Sequence, residues 1–432
     1  MNKQAQTKSA LFQDTNLRWM ISGASLSLLG DQFTLIALPW LVLKMTGDTL
    51  ILGIVLALIG VPRALFMLIG GAVVDKYSPK SVMMLTKYLN TALLGILALA
   101  LFTASLQLWM VYLLSLLLGI STAFSIPSGT AMMPRVVASQ HLQAANGVML
   151  SVRQLTFFLG PLMAGALIAL LGDASSVSHP SASSSAIADA HGLAAAFFID
   201  CLSYAISALT LAQVRMLPLT DKTNKAQSAI LQAVLAGLRH CWADKMLRTC
   251  FIYWSAVAFF IMGPIQIAMP VLAQHLGNSA STLGLLAGAH GAGTLLGMLL
   301  SSVRPNWRLA SLGGTILAID FAVGLLFIPL GIVSASWQGA AILLTIGILS
   351  GFIHVAVYTF IQRQVPPAMI GRAMSIFMFI FMGIGPVSAA LTGWLMHSVS
   401  IAQLFVFSGG MLLLIVLLAL VLSPMRRVNG LC

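Results

Sequence analysis

The chain has 432 residues, 59% of them hydrophobic and 7% charged, with 22 Lys and Arg against 10 Asp and no Glu, a formal net charge of +12. A soluble domain keeps about 25% of its residues charged, so this composition excludes an ordinary water-soluble enzyme. The absence of Glu also argues against a hydrolase built on paired carboxylates. Cys201, Cys241, Cys250 and Cys432 have no metal-ligand spacing and are expected to be free thiols.

Apolar runs of 18 or more residues read as membrane spans, and twelve are predicted. The first half carries them at 18–43, 50–74, 82–105, 109–131, 145–171 and 192–214. The second half carries them at 247–273, 280–303, 309–333, 337–361, 372–397 and 401–423. The first run exceeds a signal-peptide core and has no small-residue cleavage pattern behind it. Between the fifth and sixth spans, residues 172–191 form a Ser/Ala-rich loop. The predicted fold is an all-α membrane protein of two pseudo-symmetric six-helix bundles, 1–214 and 247–432. In the linker between them, 215–246, Ile230, Leu231, Val234, Leu235, Leu238 and Trp242 recur at helical spacing. That spacing predicts an amphipathic helix, on the membrane surface or packed as a tether.

Cationic residues follow the connections. With both termini in the cytoplasm, 19 of the 22 Lys and Arg fall on the inner side, including Lys76, Lys80, Lys87, Arg135, Arg304, Arg363 and Arg372. The outer connections keep only Lys44. The positive-inside rule therefore predicts a multi-pass protein of the plasma (inner) membrane with cytoplasmic termini. The positive charge is assigned to anionic membrane lipid, not to nucleic acid. Trp19, Trp40, Trp109, Trp307 and Trp337 lie near span ends, as an aromatic belt would.

The halves repeat one another. Ile36-Ala37-Leu38-Pro39 returns 231 residues later as Ile267-Ala268-Met269-Pro270, and Gly160-Pro161 returns 225 residues later as Gly385-Pro386. Gly53 and Gly71 have counterparts at Gly284 and Gly297. A doubled apolar bundle is how secondary transporters form two halves that rock about a central site. The charges are not repeated: Asp31 is answered by Met262, Asp75 by Ser301 and Arg153 by Met378, and no Arg answers Arg63. On this pattern the first half carries the charge chemistry and the second is an apolar wall.

An Asp or Arg at the centre of a span costs about 2.5–3.5 kcal/mol on insertion scales, so it faces a cavity or a partner. Asp31 and Arg63 each sit about 12 residues from the inner end of their spans, roughly 18 Å deep at ~1.5 Å per residue. Arg153 is shallower. Burial favours a neutral carboxyl and a nearby Arg favours an ionised one, so alternating exposure can move a proton on and off Asp31. The sequence leaves two readings: Asp31 as a proton switch with Arg63 or Arg153 as counter-charge, or a fixed pair that only orders the helices. Asp200 is a weaker candidate, as is Asp320, which the repeat aligns with Asn90. His290 and His354 are relay or packing residues.

The loop after the second span reads Gly70-Gly71-Ala72-Val73-Val74-Asp75-Lys76-Tyr77-Ser78-Pro79-Lys80. It resembles the signature loop of the major facilitator superfamily, departing from it at Ser78 and Pro79. The resemblance implies an inner latch in which Asp75 meets the start of the eleventh span near Gly371-Arg372, with Gly71, Lys76 and Lys80 completing the motif. A carboxylate at a helix N-terminus is stabilised by the helix dipole. Gly160-Pro161-Leu162-Met163-Ala164-Gly165 is similar to the antiporter motif of proton-coupled exporters, although its repeat at Gly385-Pro386 fits plain small-residue packing as well. Together with Gly30-Asp31 and Pro134-Arg135, these segments look like the exporter branch that contains macrolide-efflux and enterobactin-export proteins. That branch implies a monomer exchanging protons for small amphipathic molecules of the drug, macrolide or siderophore class. No cofactor, metal site or catalytic residue is expected, since no phosphate-cradling loop or convergent nucleophile-base set occurs. Solute uptake, lysophospholipid flipping and a non-transporting scaffold are the competing readings.

Overall fold

The structure, a computed structural model, describes residues 14–172, 189–216, 239, 242–304, 311–365, 370–423 and 425. The side chains of residues 68, 72, 75, 139, 363, 370–372 and 375 are not among them. Twelve helices among the described residues are long and apolar enough to cross a membrane. They are α1 (Thr15–Thr46), α2 (Thr49–Lys76), α3 (Pro79–Phe102), α4 (Leu108–Val136), α5 (Leu142–Leu171), α6 (Ala190–Gln213), α7 (Lys245–Gly277), α8 (Ala280–Val303), α9 (Leu312–Leu330), α10 (Ser336–Gln364), α11 (Ile370–Leu395) and α12 (Ile401–Leu422).

Each of the twelve predicted spans is met by one helix, and several run further than hydropathy alone indicates. The extra turns are capped. Asp14 accepts from the backbone N–H groups of Asn16 (2.8 Å) and Leu17 (3.3 Å) at the start of α1. Asp244 accepts from Met246 (2.8 Å) and Leu247 (3.0 Å) at the start of α7. Such caps satisfy N–H groups that the first turn of a helix leaves without partners. Both helices also end on a left-handed residue, Gly47 (φ 65°) and Asn278 (φ 46°), where glycine or asparagine is tolerated. The repeat thus extends to the caps.

The chain divides into two compact units, Met1–Gly47 with Leu58–Asn224, and Asp48–Ala57 with Lys225–Cys432. In the first unit α6 packs between α1 and α3, and α1 also meets α5. A Cβ on Gly119 of α4 would overlap the backbone of Ile59 on α2, so these helices touch backbone to backbone. In the second unit the corresponding helices pair in the same way, α7 with α11 and α12, and α9 with α12. Gly293 and Gly297 likewise bring α8 onto Leu344 and Ile348 of α10. The amphipathic linker helix and the Ser/Ala-rich loop fall almost wholly outside the described residues.

Three expectations change. Trp40 is not a belt residue: it is fully buried, and its indole N–H donates to Asp189 Oδ2 at 3.1 Å, whereas Trp19, Trp109 and Trp337 are exposed. Lys87 is not on the inner surface: it lies inside α3, 4% exposed, and donates to Ser27 Oγ at 2.7 Å. Third, the first turns of α2 group with the second unit. There Leu52 and Val55 are buried, and Thr49 Oγ1 donates to Gly393 O of α11 at 3.0 Å.

Asp48 caps those turns, accepting from Leu50 N at 2.7 Å, and its Oδ1 lies 2.7 Å from His397 Nε2 just beyond α11. The hydrogen bond from His397 holds the Asp48 carboxyl below its ordinary value of 3.8, against a smaller opposing effect of burial. Asp48→Ala, which removes cap and pair together, is expected to cost about 1 kcal/mol at neutral pH, and Asp48→Asn less because an amide still caps. A lowered carboxyl contributes its stability in full above the unfolded value and loses it as pH falls through the folded one. Thermal unfolding of purified protein should therefore show the gap between wild type and Asp48→Asn closing toward the acid end.

Candidate coupling site

Four polar residues of α6 share one buried face. Asp200, Ser203, Tyr204 and Ser207 recur at helical spacing and all are buried. They lie against α1, which makes room for them with glycine. A Cβ on Gly30 would overlap Ser203 Oγ and Asp200 Oδ1, and one on Gly23 would overlap Thr210 Oγ1.

Two carboxyls are held there differently. Tyr204 Oη donates to Asp31 Oδ1 at 2.6 Å. Asp200 accepts from Thr34 Oγ1 at Oδ2 and from Ser203 Oγ (3.2 Å) at Oδ1. Lys87 Nζ, already bonded to Ser27, stands 4.6 Å above the Tyr204 ring, a cation–π contact. Asn90 is wholly buried one turn further along α3 beside the Tyr204 hydroxyl, yet neither its nitrogen nor its oxygen meets hydrogen-bond geometry. The cations that act electrostatically on Asp31 are Lys87, Arg63 and Arg153, while Asp200 feels Asp31 and Lys87. Arg63 keeps its buried Nε without a hydrogen-bond partner, and Arg153 lies exposed, 5.8 Å from the Phe157 ring centroid. The first unit thus gathers two carboxyls and three cations from α1, α2, α3, α5 and α6.

The structure brings together Asp31, Arg63, Arg153, Asn90 and Asp200. It adds Tyr204 and Lys87, which sequence reasoning missed. Asp31's hydrogen bond comes from Tyr204 rather than from a cation, and Lys87 joins Arg63 and Arg153 among the cations of the cluster. A signal for Lys87 was available. Thr86, Lys87, Asn90, Leu93, Leu94 and Leu97 are the buried stripe of α3, so helical periodicity already places Lys87 inside.

The motif residues scatter. Gly71 lies within α2 with open space about it, and Lys76 is exposed at the end of that helix. Lys80 donates to Ala212 O (2.9 Å) and Val214 O (2.7 Å), covering the carbonyls at the end of α6. The side chains of Asp75 and Arg372 lie outside the described residues. Gly160, Pro161 and Gly165 are buried on α5, and a Cβ on Gly160 would overlap Cβ and Cγ of Gln32, next to Asp31. In the second unit Asp320 accepts from Tyr253 Oη at 2.6 Å, so this unit is more than an apolar wall. His354 stacks 4.8 Å from Tyr358, and His290 is packed in α8 against Gly347. Cys201 and Cys250 are free thiols. No cluster of metal-ligating side chains occurs among the described residues.

A family model described as Major Facilitator Superfamily matches residues 20–390. The chain belongs to the major facilitator superfamily. It is 27% identical over 425 residues to the enterobactin exporter EntS of Shigella boydii serotype 4 (strain Sb227), covering 96% of this chain and 92% of that one. The EntS of Escherichia coli O1:K1 / APEC is 28% identical over the same length and coverage. Among solved structures the nucleoside transporter NupG has a TM-score of 0.71 at 13% identity, covering 96% of this chain and all of that one. A bacterial homologue of the iron transporter ferroportin in its inward-facing state has a TM-score of 0.68 at 14% identity, covering 94% and 96%. At that identity they share the fold alone. This superfamily member is a multi-pass membrane transporter of small molecules and not an enzyme.

The two Gly-Pro motifs differ in what they touch. A Cβ on Gly385 would have 3.4 Å to Gln266 Nε2 and 3.5 Å to Met262 Sδ, ordinary room. Gly160→Ala is therefore expected to destabilise by about 1–3 kcal/mol through overpacking, with Gly385→Ala close to neutral. Thermal unfolding of the two purified variants checks the difference.

Proposed function

We propose that this transporter exports small amphipathic organic molecules of the siderophore, macrolide or drug class from the cytoplasm in exchange for protons, with Asp31 as the proton switch. Its termini are cytoplasmic and it works as a monomer in the plasma (inner) membrane, its basic inner loops lying on anionic lipid.

The observation that carries this reading is the Asp31 cluster. A carboxyl deep in a span holds a single tyrosine hydrogen bond, with Lys87, Arg63 and Arg153 acting on it electrostatically. Ionised Asp31 is stabilised by those cations, while the neutral acid is favoured by its dry surroundings. A change in hydration between inward-open and outward-open states tips that balance. Tyr204 holds the carboxyl in place through both states, with Lys87 over the face of the Tyr204 ring. Relatives carrying the name enterobactin exporter favour the siderophore class and the outward direction.

The test uses an iron-limited host that makes enterobactin but lacks its own exporter. Wild type should restore secretion into the medium, and a protonophore should stop it. Asp31→Asn is expected to fall to the empty-vector level with undiminished protein in the membrane. Secretion by Asp31→Asn equal to wild type removes Asp31 from the mechanism. Failure of wild type to export either enterobactin or a macrolide, with gradient-independent movement of labelled lysophospholipid in proteoliposomes, would replace export with flipping.

A further inference from the structure

The second unit carries an aspartate of its own within a span, Asp320. It lies at the middle of α9 and is 6% exposed. Among the described residues its hydrogen-bond partner is Tyr253 Oη of α7, at 2.6 Å. We propose that Asp320 and Tyr253 form a second proton-binding site, in the second unit, which holds a proton while dry and exchanges it when water reaches the pair.

The surroundings carry the case. α9 packs against α12, which has no titratable side chain, and against α10, which carries His354, Tyr358 and Arg363. The hydrogen bond adds α7, with Lys245 and Arg248 at its start, Cys250 one turn from Tyr253, and His275 in its last turn. Cys250 is occupied by Met425 Sδ at 3.6 Å. Among the described groups no cation acts electrostatically on Asp320. In an apolar interior a carboxyl finds a counter-charge or holds a proton, because an unpaired buried ion is too costly. Asp31 has three cations acting on it; Asp320 has a hydroxyl.

The internal repeat sharpens the point. The position equivalent to Asp320 in the first half is Asn90, also buried at mid-helix. Filling a buried polar position there takes only an amide. A carboxyl adds one capability that an amide lacks, reversible proton binding. Tyr253 suits that role, since its hydroxyl donates to the ionised acid and accepts from the neutral one.

The experiment takes the full-length protein in phospholipid vesicles with the proton as probe. Infrared difference spectra recorded across a pH series read the C=O stretch of a protonated carboxyl. Wild type is expected to show such a band at neutral pH that disappears on alkalinisation. Asp320→Asn should abolish it, Tyr253→Phe should move it, and Asp31→Asn should leave it. A spectrum that Asp320→Asn does not change overturns the proposal, as does an Asp320 band that persists at every pH, which marks a fixed structural acid. Should Asp320→Asn fail to fold, the shift in Tyr253→Phe decides, because that variant keeps the carboxyl. This outcome is independent of the enterobactin assay, so the Asp31 reading and the Asp320 site fail separately.

Discussion

A polar group that enters an apolar slab is costly unless it finds a partner inside the protein, because little water is there to supply one. This constraint organises the molecule more than any single contact. It explains why helix starts are capped by Asp14 and Asp244, whose carboxylates satisfy N–H groups before the chain leaves solvent. It also explains why hydroxyls turn back onto their own helices, as Thr91 does to Lys87 O and Thr122 to Leu118 O. These groups spend their hydrogen bonds locally and ask nothing of their neighbours. Asp31, Asp200, Lys87 and Tyr204 cannot be satisfied that way, and they converge.

Convergence needs space, and glycine supplies it. Gly23 and Gly30 on α1 leave room for Thr210, Ser203 and Asp200, so that a polar face of α6 can lie against the helix that carries Ser27, Asp31 and Thr34. Each unit then builds the same small element, a tyrosine donating at 2.6 Å to an aspartate on another helix. The surroundings differ. Three cations act on the pair in the first unit, and among the described groups none acts on the pair in the second. The same tyrosine–aspartate pair thus stands in two different electrostatic settings.

Much of this architecture is legible in the residues. Long apolar runs and the Ile-Ala-Leu-Pro repeat are direct records of burial and duplication, and twelve helices follow from them. Asp31 and Arg63 stand out because a charge is costly in a span. Lys87 was hidden by its position, since a lysine eight residues after Pro79 passes for an inner-surface charge until the periodicity of α3 is followed. Tyr204 and Tyr253 were hidden by their type: a tyrosine in a span is cheap, and only a partner on another helix reveals its role. The cap at Asp14 was legible, but hydropathy gives no credit to the polar turn it begins. The pairing of Lys80 with the end of α6 joins residues 132 apart, which no local pattern contains.

The Gly-Pro motif shows where resemblance stops and geometry continues. Gly160 and Gly385 share a sequence and a place in the repeat, so the motif as such reports how two helices pack. Their neighbours separate them. Gly160 admits Gln32, the residue after Asp31, into a place that a methyl group would close, whereas Gly385 faces Met262 and Gln266 with ordinary room. α5 thus packs against the residue beside Asp31, whereas at the equivalent place α11 packs against Met262 and Gln266, where no charged side chain stands. Duplication supplied a packing motif to both halves. In the first it came to rest against Gln32, the neighbour in sequence of a buried carboxyl.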